Sequence, residues 1–65
     1  MKQEIVDALI AHAKGHIEKH KINALNLMHN PAGIGEHGDI IDEIEKELKY
    51  IAEYDDQLAV LNKYF

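Results

Sequence analysis

The sequence predicts an all-α protein: an antiparallel two-helix hairpin that assembles with further copies into an oligomeric helical bundle. Three observations predict it. Two stretches of roughly 27 residues carry apolar residues at helical spacing. Between them lies the break Asn30-Pro31-Ala32-Gly33-Ile34-Gly35-Glu36-His37-Gly38-Asp39, which holds the one proline and three of the four glycines. Finally, 65 residues without a cysteine make a domain that is marginal unless it oligomerises or binds metal. The expected layout is a single helical-hairpin domain over 1–65, with helices at about 3–29 and 39–63 and a turn at about 30–38.

In the first stretch, Val6, Ile10, Ala13, Ile17, His20, Ala24 and Leu27 recur at spacings of four and three, a heptad-type seam. Ile5, Leu9 and Met28 widen it to a broad apolar face. Asn30 precedes Pro31 and is biased out of the helical region, so the helix is expected to stop at 28–30. In the second stretch, Ile41, Ile44, Leu48, Ile51, Tyr54, Leu58, Leu61 and Phe65 recur at three and four. Asp39 is the expected N-cap, with Asp42 and Glu43 well placed in the first turn. Asp42–Lys46 and Glu45–Lys49 form acid-before-lysine pairs at i,i+4. A short connection requires the helices to fold back antiparallel. Ile22, Leu25, Tyr50, Val60 and Tyr64 project outward and offer further contact surface.

The formal charge of −5 is uneven. Residues 1–29 carry four lysines and three acids; residues 36–65 carry three lysines and nine acids. An acidic surface disfavours binding to DNA or RNA. Arginine is absent, and with it the usual bidentate phosphate clamp. No apolar run reaches the ~20 residues of a membrane span. The first residues have no basic flank leading into a long apolar run, so no signal peptide is expected. These features predict a soluble protein. Ser, Thr and Cys are absent, which removes the usual nucleophiles, and no catalytic signature accompanies the histidines. A non-catalytic role without a cofactor is expected.

His12, His16 and His20 stand at i, i+4 and i+8, on one face that drifts by about 40° per step. The stripe runs from the edge of the apolar face to its centre, since His20 is a seam residue. Asp55 and Asn62 are polar intruders in the second apolar arc. Antiparallel pairing puts Asp55 level with His12 and His16, and a buried or half-buried His–Asp hydrogen bond is expected there. Three readings remain open. The histidines fix the register of an interface; or two of them with Asp55 hold a divalent metal; or they line a pocket at a subunit junction and donate to an anion. Charge on these histidines would make assembly depend on pH between about 5 and 7.

The break offers a second candidate. Gly33 and Gly35 permit backbone N–H groups to point at an anion at the start of the second helix, flanked by His29 and His37. It is not a Walker loop, because no Gly-Lys-Ser/Thr follows. Glu36 and Asp39 oppose a phosphate, and a capped turn is the simpler reading.

The run Ala11-His12-Ala13-Lys14-Gly15-His16-Ile17-Glu18-Lys19-His20, the motif Asn30-Pro31-x-Gly33-Ile34-Gly35-Glu36-His37 and the ending Glu53-Tyr54-x-x-Gln57-Leu58-x-x-Leu61-x-Lys63-Tyr64-Phe65 resemble small uncharacterised helical proteins of tailed bacteriophages from marine and metagenomic sources. The resemblance spans most of the chain. It implies a viral protein acting in the host cytoplasm, in host takeover or counter-defence, and carries no assigned site residues. The leading expectation is an oligomeric phage binding protein that sequesters a small anionic, nucleotide-like ligand at a subunit junction. Its candidate ligand residues are His12, His16, Lys19 and His20, with Asp55 orienting a histidine, and Gly33, Gly35 and His37 as the second choice. The alternatives are an inhibitor or adaptor of a host protein, working through the acidic second helix with Tyr50, Val60 and Tyr64, and a structural or metal-stabilised bundle.

Overall fold

The computed structural model describes residues 1–29 and 39–65. Two helices account for nearly all of them: α1, Lys2–His29, and α2, Ile40–Tyr64. The expectations for Gly33, Gly35, His37 and the rest of the break at 30–38 lie outside the described residues. His16 meets Tyr54 while His20 meets Tyr50, so the helices pack antiparallel.

Side chains fix the start of α2. Asp39 has extended backbone, and its Oδ1 accepts from the amides of Ile41 at 2.9 Å and Asp42 at 3.3 Å. Two of the four unpaired amides of the first turn are thereby satisfied. Asp42 and Glu43 add negative charge where the helix dipole is positive. The charge pair on this turn differs from expectation. Lys46 Nζ donates to Glu43 Oε1 at 3.1 Å, one position nearer than Asp42. That hydrogen bond, with the Glu43 charge, raises the Lys46 pKa above its ordinary value.

The α1 seam is the one its spacing predicts. Val6, Ala13, His20 and Ala24 are buried, while Ile10, Ile17 and Leu27 are half-buried. Ala13 is wholly enclosed, at 0% exposure.

The α2 seam differs by one residue at two levels. It reads Ile40, Ile44, Glu47, Ile51, Tyr54, Leu58 and Leu61, all half-buried. Ile41 is 60% exposed and Leu48 is 49% exposed, and Phe65 also faces out. The steps 44–47–51 and 44–48–51 are both combinations of three and four, so periodicity cannot separate them. Hydrophobicity favours Leu48, but α1 decides otherwise. At that level it presents His20 and Asn23, and a carboxylate satisfies both. Ile5, Leu9 and Met28, expected to widen the α1 face, are about half exposed.

Candidate functional site

The helical step builds the site. Four residues advance the helix by about 40° beyond one full turn. His20 therefore sits in the seam, His16 at its border and His12 outside it; their exposure rises in that order. Tyr50 and Tyr54 repeat the same four-residue interval on α2 and lay their rings against His20 and His16. The His20–Tyr50 centroids lie 4.4 Å apart with planes at 16°. His16–Tyr54 are likewise 4.4 Å apart, with planes at 13°. His16 and His20 are stacked at 6.0 Å, and the His12 ring tilts against His16 at 4.4 Å. The result is a five-ring ladder along one side of the hairpin. Such ring pairs add about 0.5–1.5 kcal/mol each beyond the area they bury.

At its inner end the ladder is anchored by a hydrogen-bonded triad. Glu47 Oε2 lies 2.8 Å from His20 Nδ1, and Asn23 Nδ2 donates to Glu47 Oε1 at 3.1 Å. A carboxylate only accepts, so Nδ1 carries the proton and donates. His20 is 7% exposed. It is a seam residue held by Glu47, with little surface left for a ligand.

His16 is different. Its Nδ1 is buried without a hydrogen-bond partner. Burial lowers its pKa below the ordinary 6.5, and the charges of His12, Lys19 and His20 lower it further. Tyr54 stacked on the ring, with His12 and His20 close by, accounts for the loss of water.

Outside the ladder, Ala11, His12, Gly15, His16 and Lys19 line a shallow depression of about 270 Å³. Gly15 opens it, because a Cβ built there meets nothing within 4 Å. Among the described residues no carboxylate lines it. The structure thus brings His12, His16 and Lys19 together out of the predicted set. No family model matches the chain, and no curated protein or solved structure does either.

The expected His–Asp bond is absent among the described residues. Asp55 is exposed and makes no hydrogen bond to a histidine. Its level along the axis suits His12 and His16, but it stands one residue beyond Tyr54, about 100° around the helix. Tyr54 occupies the place facing the histidines. The metal reading loses Asp55 with it, and no cluster of three His, Asp or Glu converges among the described residues. Asn62 is exposed as well. Glu47 and Tyr50 are the residues that sequence reasoning missed. Tyr50–Tyr54 at i,i+4, matching the interval of the histidines, was the available signal for the ladder.

Proposed function

We propose that this protein is a non-catalytic binding module which works as an assembly of hairpins and holds a small anionic, nucleotide-like ligand at a subunit junction. One observation carries the reading: His12, His16 and Lys19 converge on the depression at Gly15, and among the described residues no carboxylate lines it, in a chain of net charge −5. Hydrogen-bond donors gathered away from acid favour an anion. Exposed apolar surface supports the junction. Among the described residues no large side chain is fully buried, and Ile5, Leu9, Tyr50, Val60 and Tyr64 remain exposed. The resemblance to small tailed-phage proteins supplies the setting, host takeover or counter-defence in the host cytoplasm.

The test is a series of thermal melts with cyclic and linear nucleotides and with inorganic phosphate. A ligand at a hundred times its Kd adds about 2.7 kcal/mol and raises the melting temperature accordingly. Replacing Lys19 and His12 by Gln should remove the rise. If no nucleotide moves the wild-type melt, the ligand reading is wrong.

A further inference from the structure

We propose that a second copy of this chain docks on the ladder side of the hairpin, centred on Ile5, Leu9, Val60 and Tyr64, and roofs the depression at Gly15. The inference rests on the self-assembly reading above and adds the face, the occupant and the consequence for the site.

The face follows from recurrence every seven residues. Ile5, His12 and Lys19 share one position of the α1 repeat; Leu9, His16 and Asn23 share the next one towards the seam. The ladder shows which side of the hairpin these positions occupy, because His12 and His16 lie against Tyr54. Ile5 and Leu9 must lie on that side too. On α2, Tyr50 and Tyr64 are fourteen residues apart and share a position, as do Glu53 and Val60. Antiparallel packing puts the start of α1 beside the end of α2. Ile5, Leu9, Val60 and Tyr64 therefore form one exposed apolar patch, next to the depression and at the far end of the hairpin from His29 and Asp39.

The area identifies the occupant. A compact monomer of 7.4 kDa should expose roughly 4,200 Å². This hairpin exposes 5067 Å² and extends 49 Å along its long axis against 15 Å across. The excess, roughly 900 Å², is close to the ~800 Å² that each partner buries in an interface of standard size. Charge fits a second copy as well. On the ladder side α1 offers Lys19 and imidazoles; α2 carries Lys46, already paired with Glu43, and Glu53, seven residues after Lys46. In a two-fold pair, α1 of each copy faces α2 of the other, so Lys19 meets Glu53 twice.

Sedimentation at micromolar concentration tests the face with a matched pair of variants. Leu9 and Leu48 are both 49% exposed, but they stand on opposite sides of the hairpin. Wild type should sediment at twice the chain mass or above. Leu9→Glu should reduce it to a single chain that stays helical by circular dichroism, while Leu48→Glu should leave the assembly intact. Wild-type protein gives an independent readout through diethylpyrocarbonate labelling, followed residue by residue in mass spectra. His12 should become protected as concentration rises, relative to exposed His29; this decides the matter even where Leu9→Glu unfolds. An assembly in which His12 reacts at a constant rate, or which Leu48→Glu alone dissociates, overturns the docking face and leaves self-assembly standing. A wild-type single chain throughout the concentration range overturns both.

Discussion

The two helices spend their apolar residues differently. α1 buries Val6, Ala13, His20 and Ala24, whereas α2 buries nothing completely. Yet α2 is the more clearly two-faced helix, with isoleucine, leucine and tyrosine along its seam. The reason is largely size. Ala13 and Ala24 vanish beneath a single neighbour and His20 is covered by Glu47 and Tyr50, whereas the long residues of α2 reach past their neighbour and keep their flanks in water. A helix of large seam residues needs a second neighbour, and the described chain supplies only one.

Measurements of stability break or sharpen that contrast. Ala13→Leu puts a large residue at the wholly enclosed position of α1, and should cost about 2–3 kcal/mol in a denaturant melt; a loss below half a kcal/mol would show that the helices part easily. Glu47→Ala removes the shared acceptor of His20 and Asn23 and should cost about 1–2 kcal/mol. Replacing Glu47 and His20 together by leucine should recover most of that, since an apolar pair leaves no orphaned donor. Gly15→Ala should stabilise by about 0.5–1 kcal/mol, because Gly15 is helical and a methyl group there meets open space; a loss would mean that the depression is filled. The His16 effect is read from pH. Its folded pKa is depressed, so between that value and 6.5 the unfolded chain binds more protons. Stability should be full above about pH 6.5 and fall as the solution is acidified. His16→Phe should flatten that slope; an unchanged slope would assign it to other groups. Asp55→Ala, on the exposed side of α2, should stay within about 0.5 kcal/mol of wild type.

Much of the hairpin was legible. All seven α1 seam residues, the Asp39 cap and the antiparallel return follow from spacing, a known capping chemistry and chain length. The drift of His12, His16 and His20 into the seam was legible for the same reason, being a property of one helix. What failed concerned pairs of helices. Leu48 for Glu47 and Asp55 for Tyr54 are each an error of one residue, about 100° of rotation. The apolar pattern of α2 alone tolerates either choice.

Periodicity within each segment therefore determined the helices, their outward faces and the histidine stripe, because those depend on neighbours three and four residues away in the same chain. Only the packing decided which carboxylate His20 meets and that tyrosines and not an aspartate line the stripe. Those choices depend on how one helix is turned about its axis against the other, and that angle is set by what each surface presents to its neighbour.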